Sequence, residues 1–315
     1  MLKQDVLSSA LAALRVSGSL VLHHRYAPPW AIELPGSAEL AALIGAEPSA
    51  RVVAFHVVER GELELQAGRA RWLLGPGELA ACFGGVPHRL GRGRGARPQP
   101  LSEVLRRGNS AQPRRDTPEV TQLLCGVFVL RDPALNPLLG ALPSILHARL
   151  LDDDLELTGR LLQRELRAPR AGSSFLIDRA LELLCASLVR QRQDTAAQAS
   201  AGLLRALRDP GLCRALEQIH RQPGEPWTVE TLAASAGLSR SRFAARFTEL
   251  AGEAPMAYVT RWRMNVAARL LREGLLSVAQ VASQVGYDSV PSFCRVFKRS
   301  LGTPPARYRD QPRAG

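Results

Sequence analysis

RFAARFTELAGEAPMAY (residues 242–258) and SFCRVFKRSLGTPPARY (residues 292–308) share one skeleton. At an offset of 50, Phe243 matches Phe293, Phe247 matches Phe297, Gly252 matches Gly302, Pro255 matches Pro305 and Tyr258 matches Tyr308. Just upstream, LAASAGLS (residues 232–239) matches VASQVGYDS (residues 281–289), with one residue inserted after the glycine. A unit written twice implies a target that also repeats.

Each copy reads as helix, tight turn, helix. In the first, Thr228 is placed to cap VETLAASA with Thr231 in the following turn, Gly237 supplies the turn, and Ser239 caps RSRFAARFTEL. In the second, Ser277 caps VAQVASQV, Gly286 turns the chain, and a helix is expected from about Ser289 to Ser300. Phenylalanines four apart turn one stripe of each second helix inward and leave the opposite stripe exposed. Such a helix-turn-helix can present its second helix to a DNA major groove. Between the copies, residues 255–274 predict a long helix with Pro at its start and Gly at its end. Recognition helices held roughly 34 Å apart would enter successive major grooves on one face of a duplex.

Charge agrees with this expectation. The chain of 315 residues has a formal charge of +12, an excess that favours polyanions. Residues 223–315 hold 13 Arg and Lys against 7 Asp and Glu, and residues 89–115 hold eight Arg against Glu103 alone, leaving the remainder close to neutral. Only two of the 41 basic residues are lysine, a bias of composition that carries no functional weight. The five cysteines are scattered without a CxxC pair, so a disulfide framework is not expected. No apolar run reaches membrane-spanning length, and LSSALAALRV is too short for a signal peptide and follows an acidic residue. The expected location is the cytoplasm.

The length suffices for two domains. The first 150 residues read mostly as strands: VVAFHVVERGELEL splits at Gly61, RWLLGPGELAACF continues through a Pro-Gly turn, and TQLLCGVFVL is a buried strand. Short strands punctuated by Gly and Pro suggest a sandwich or barrel. Residues 91–118, GRGRGARPQPLSEVLRRGNSAQPRRDTP, read as a mobile insertion. From residue 151 the period becomes helical, with Leu155, Leu162 and Leu166, then Leu176, Ala180, Leu183, Leu184 and Leu188. Residues 191–200 read as a linker. The domains expected are therefore 1–150, a helical connector at 151–200 that either packs on the first domain or forms a dimer interface, and a helical domain at 203–310.

The C-terminal part resembles the DNA-binding domain of the bacterial AraC/XylS family of transcription regulators. The resemblance covers roughly residues 203–309 and rests on LSRSRFAARFTELAGEAPMAYVTRWRM, AARLL and VAQVASQVGYDSVPSFCRVFKRSLGTPPARYR. It implies a monomeric module with two helix-turn-helix units, binding double-stranded promoter DNA and acting through RNA polymerase. Base readers implied are Ser241, Arg242 and Ala245 in the first unit, and Val290, Ser292 and Arg295 in the second. Family members often carry a long polar or basic residue where Ala245 stands. The first unit is thus expected to read few base edges, with Arg240, Arg242 and Arg246 placed largely on phosphates. Ser289, Lys298 and Arg299 complete the expected DNA-facing set. Arg295 is the best candidate for a bidentate contact to guanine. The competing reading makes these arginines solvated helix faces.

The strand-rich part resembles the cupin-type sensory domain of a subset of the same family. Coverage runs over residues 5–150, through DVLSSALAALRVSGSLVL, PPWAIELP, AFHVVERGELEL, LGPGELAACFGGVPHRL, LLCGVF and PLLGALPSIL. The fold implied is α+β: a cupin-like β-barrel, a helical connector and an all-α domain with two helix-turn-helix units. Catalytic cupins bring His-x-His, whereas His56 is followed by Val57 and Val58, so an oxygenase iron site is incomplete. The expectation is a signal-responsive regulator and not an enzyme. The alternatives are a metal-dependent cupin enzyme fused to a DNA-binding module, and an architectural nucleic-acid binder. His56, His88 and Cys125 could converge on zinc, with a fourth ligand from His23, His24, Cys82 or water. The reading to set against this, and the first to consider for such residues, is two hydrogen-bonded core histidines and a small buried thiol. Cys82 and Cys125 are also candidates for redox sensing. Cys185 and Cys213 read as core, and Cys294 as a thiol near DNA. The effector expected is a small molecule, a metal or an oxidant. The oligomer expected is a homodimer, and the commoner outcome in the family is activation.

Overall fold

The computed structural model describes residues 5–47, 49–107, 120–131, 135–150, 153–195 and 202–310. It forms two compact units that do not follow chain order: Val16–Arg131 with Leu142–Gln191, and Met1–Arg15 with Asp132–Ala141 and Arg192–Gly315. The class is α+β. No helix among the described residues is long and apolar enough to cross a membrane.

Among the described residues, the first unit contains ten strands: β1 (Val16–Tyr26), β2 (Trp30–Leu34), β3 (Arg51–Arg60), β4 (Leu63–Ala67), β5 (Ala70–Leu74), β6 (Glu78–Ala81), β7 (His88–Arg92), β8 (Gln99–Pro100), β9 (Thr121–Leu130) and β10 (Leu146–Arg149). They hydrogen-bond as two five-stranded sheets, β1-β9-β3-β6-β10 and β5-β4-β7-β2-β8. The barrel expected from sequence is corrected here, because the sheets are not closed into one. The Pro-Gly turn between β5 and β6 carries the chain from one sheet to the other, so this hairpin connection adds no pairing that would close them.

Alternation along the strands builds the layer between the sheets. On β3, Val52, Ala54 and Val58 join Leu123, Cys125 and Val127 of β9 in one apolar cluster with Ile32, Leu34, Leu65 and Leu90 of the second sheet. His56, in phase with these residues, enters the same layer. The opposite phase of β3 and β9 stacks Phe55 on Phe128, ring centroids 4.6 Å apart. Gly126 permits this, since a Cβ there would lie 2.5 Å from Phe55 Cζ.

Helices α2 (Ser37–Ile44), α3 (Leu101–Arg107), α4 (Asp153–Arg167) and α5 (Ser173–Thr195) complete this unit, α5 running past its boundary. Helix α5 lies against β1 so closely that a Cβ on Gly18 would meet Leu181 Cβ at 2.2 Å. Two sequence expectations are corrected. Part of the insertion read as mobile is ordered, because Leu101 and Val104 of LSEVL sit one helical turn apart and are both buried; its remainder, residues 108–119, lies outside the described residues. The linker expected at 191–200 is helical through Thr195. The helical phase read from sequence buries Leu155, Leu162, Ala180, Leu184 and Leu188, but leaves Leu176 and Leu183 exposed.

The second unit opens with α1 (Val6–Leu14) and continues with α6 (Leu203–Ala206), α7 (Pro210–Arg221), α8 (Val229–Ala236), α9 (Arg240–Ala251), α10 (Pro255–Glu273), α11 (Val278–Gln284), α12 (Val290–Leu301) and α13 (Pro305–Arg309). Capping boxes start α8 at Thr228 with Thr231 and α11 at Ser277 with Gln280. Ser239 holds the N-cap position of α9 without a side-chain capping bond. The sequence repeat is a repeat of packing. Phe243–Phe247 and Phe293–Phe297 both have centroids 5.6 Å apart. Phe247 meets Tyr258 edge-on at 5.6 Å, and Phe297 meets Tyr308 edge-on at 5.3 Å.

Arg263 of α10 joins the two copies. It donates to the carbonyls of Pro223 and Glu225 and lies 5.9 Å from the Tyr287 ring. The same loop presses on the second turn, where Gly286 has φ 79 and a Cβ would sit 2.4 Å from the Gly224 carbonyl oxygen. Only glycine fits there.

Two segments from the strand-rich part of the sequence belong to this helical unit. Helix α1 packs against α7 and α10, burying Val6, Leu7, Ala10, Ala13 and Leu14. Asn136 donates to the Ala10 carbonyl at 2.7 Å, and Leu135 joins the core of Met264, Phe293 and Phe297.

His220 of α7 stacks on Trp262 at 3.8 Å and shares a 2.7 Å hydrogen bond with Tyr258 Oη. Burial pushes its pKa down to about 3, with the nearby Arg261 charge adding to the effect. Below about pH 6.5 the unfolded chain takes a proton that the folded chain refuses, so stability falls with falling pH until about 3. The expected loss is about 1.4 kcal/mol per pH unit across pH 6 to 4. Urea unfolding at several pH values checks this, with a shallower decline expected in His220→Gln.

Candidate nucleic-acid interface and buried metal centre

The exposed face of each second helix follows from its buried phenylalanines. At about 100° per residue, the position opposite the Phe293–Phe297 stripe is Arg295. Its counterpart opposite Phe243–Phe247 is Ala245. Around these points α12 shows Ser292, Arg295, Lys298 and Arg299, whereas α9 shows Arg242, Ala245, Thr248 and Glu249. Arg295, Lys298 and Arg299 are exposed and form no ion pair among the described residues. Val290 is exposed at the helix start, and Ser289 is engaged as the N-cap, accepting from Ser292 N at 3.4 Å.

The first unit is differently charged. Arg240 pairs with Glu230 at 2.6 Å, and Arg246 pairs with Asp209, the N-cap of α7. Glu249 lies 3.6 Å from Arg205. Ser241 and Arg242 remain exposed, and Arg242 has no carboxylate partner among the described residues. Thus two of the three arginines read as phosphate contacts are held by carboxylates of the same chain. The Glu249 against Arg299 difference was available in the 50-residue offset and escapes a reading focused on arginines.

A second constellation lies between the sheets. His56 on β3 pairs directly with Cys125 on β9, and Cys82 and His88 flank the turn between β6 and β7. His56 Nε2 is 2.8 Å from His88 Nε2, and Cys82 Sγ is 3.7 Å from the same His88 nitrogen. These three donor atoms lie within 4.8 Å of one another. Cys125 Sγ is 3.1 Å from His56 Nδ1, on the far side of that imidazole. The structure therefore brings together His56, His88 and Cys82, with Cys125 behind His56. His23 turns to the other face, where Glu59 holds its Nε2 at 2.8 Å. His24 lies 3.4 Å from Tyr26 Oη and outside the three-residue group.

The electrostatics favour neutral groups. Burial, then the neighbouring His88, holds His56 well below the ordinary imidazole pKa, and burial lowers His88 against the opposing effect of its hydrogen bond to Val86. Burial pushes the Cys82 and Cys125 thiols up to about 12. His88 donates its Nδ1–H to the Val86 carbonyl at 3.0 Å, leaving the Nε2 lone pair facing His56 and Cys82. A ligating histidine is oriented in this way by a second hydrogen bond. Two imidazole nitrogens and one thiol sulfur fit zinc, which accepts mixed nitrogen and sulfur donors with one open position. Cys185 is buried, Cys213 lies near Glu217, and Cys294 is half-buried on α12.

Residues 5–194 match the cupin family, and residues 232–311 match a helix-turn-helix domain family. An uncharacterized HTH-type transcriptional regulator of Haemophilus influenzae is 30% identical over 259 residues, spanning 81% of this chain and 85% of its own. An AraC-like transcription regulator of Streptomyces lividans is 37% identical over 193 residues. The chain belongs to the AraC-type regulators that carry a cupin domain. It spans 64% of the Streptomyces regulator's length, just under two thirds, with 60% of this chain aligned. Among solved structures, the DNA-binding domain of the global transcriptional factor AdpA, in complex with a target DNA, is 37% identical, with TM-score 0.30, over 32% of this chain and 90% of that one. The Haemophilus and Streptomyces relatives are both named as transcription regulators and neither as an enzyme.

Proposed function

We propose that this AraC-type chain is a sequence-specific, double-stranded-DNA-binding transcription regulator in which α12 supplies most of the base readout. The observation carrying this reading is the repeated helix-turn-helix with an unpaired Arg295, Lys298 and Arg299 face on one copy. Phosphate contacts give affinity without sequence information, so the test compares one upstream promoter segment with scrambled DNA at fixed salt. A preference of about 4 kcal/mol or more supports a regulator. Equal binding to both makes the chain an architectural binder.

His56, His88 and Cys82 are proposed to hold zinc, with water or an effector group completing the tetrahedron and Cys125 accepting the Nδ1–H of His56. A metal would displace the Cys82 proton as it binds, whereas a bare redox thiol must ionise unaided, which burial opposes. A chain purified without added metal or a histidine tag is expected to contain about one zinc, by the ligand chemistry of such sites. His88→Ala and Cys82→Ser should each abolish it, and Cys125→Ser should weaken it about 10–100-fold while retaining the site. Metal-free protein would make the cluster a hydrogen-bonded core network.

The partner proposed for the connector is a second copy of the chain. Leu157 of α4 and Phe175 and Leu183 of α5 are 80%, 65% and 57% exposed, an apolar set on amphipathic helices. Isologous pairing of such faces is the commonest route to a homodimer.

A further inference from the structure

The helical unit contains a cavity of about 750 Å³ whose lining includes Arg15 at the end of α1, His220 and Arg221 at the end of α7, and Trp262 of α10. Two exposed arginines from elements far apart in sequence thus line one cavity. Neither Arg15 nor Arg221 has an ion pair or side-chain hydrogen bond among the described residues. The other lining arginine, Arg269, is neutralised by Glu273 at 2.9 Å, which leaves Glu225 as the only lining carboxylate without a lining partner.

Two further observations mark the place. Arg15 has φ 45, the one positive value outside glycine among the described residues, at a helix end where Gly or Asn is the usual choice. An arginine stands there against its backbone preference. In addition, His220 Nδ1 and Trp262 Nε1 have no hydrogen-bond partner, although both residues are more than nine-tenths buried. Unsatisfied ring nitrogens of this kind call for a missing partner.

We propose that this cavity binds a small organic anion between Arg15 and Arg221, and that the anion fastens α1 to the DNA-binding helices. Guanidinium is suited to carboxylate and phosphate alike. The site is independent of the zinc cluster and of the DNA-facing residues, so failure of either leaves it untouched.

The test is calorimetric titration of the full chain with citrate, glycerol 3-phosphate and inorganic phosphate. Saturable binding of one equivalent is expected, and whether citrate or glycerol 3-phosphate binds tighter tells carboxylate from phosphate. Arg221→Gln should weaken binding about tenfold, the value of one charge-assisted hydrogen bond. Arg97→Gln removes the same charge from an exposed site elsewhere and should leave binding unchanged. Arg15→Gly separates folding from binding. Glycine suits the backbone, so the unfolding temperature should hold or rise while anion binding falls about tenfold. The proposal is overturned by the absence of saturable binding at millimolar concentration, by equal weakening in Arg97→Gln, or by full binding in Arg15→Gly.

Discussion

Phe297→Ala is expected to lower the free energy of unfolding by about 3–5 kcal/mol, and Phe247→Ala by a similar amount. Both side chains are fully buried, and each meets a following tyrosine edge-on in the same geometry. Removing either ring forfeits its burial and leaves a cavity that flanking helices fixed by α10 cannot readily fill. Phe297 also contributes to the cluster that contains Leu135, so its loss should loosen residues 135–141 from the helical unit. Leu275→Ala serves as the comparison, because that side chain is 84% exposed and its change should stay within about 0.5 kcal/mol. Denaturant unfolding measures all three. Losses below about 1.5 kcal/mol at both Phe247 and Phe297 would contradict the repeated core.

Arg295→Ala is expected to weaken binding to cognate DNA by about 1–3 kcal/mol and to relax base preference in one half of the site. The reason is placement. Arg295 stands opposite the buried stripe of α12 and is unpaired, whereas the matching position of α9 is Ala245. A bidentate guanidinium distinguishes guanine through O6 and N7, and the other exposed fork on α12, Arg299, lies one turn further along the helix. The converse variant, Ala245→Arg, should raise affinity and steepen the salt dependence by about one phosphate-equivalent. Arg246→Ala should weaken DNA binding less, since that guanidinium is engaged with Asp209 and its loss falls first on the start of α7. Uniform loss across all sequences in Arg295→Ala would reduce that residue to a phosphate contact.

The helical half is legible in sequence because its determinants are local. Thr228, Ser277, Gly286 and the paired phenylalanines act within one or two helical turns, and the repeat supplies an internal check. Strand phases were also legible, since β3 and β9 alternate cleanly. What sequence did not disclose depends on contacts between distant segments. Nothing in LSSALAAL marks α1 as part of the helical unit, because its buried face fits any apolar partner. The sheets stay separate where a barrel was expected, for closure depends on edge pairing that no single strand encodes. Cys82 rather than Cys125 joins the two imidazoles, a distinction set by which side of His56 each strand lies. A usable signal did exist: Cys82 and His88 flank the turn GGVP, which brings them together however the sheets pair.

The decisive measurement is selection of binding sites from a random duplex library, with the full chain at fixed salt near physiological strength. Two preferred blocks about 10 base pairs apart are expected, one per helix-turn-helix unit. The sharper block should include a guanine whose preference disappears in Arg295→Ala. Enrichment of no sequence, or one block unchanged by Arg295→Ala, would contradict sequence-specific recognition by two units.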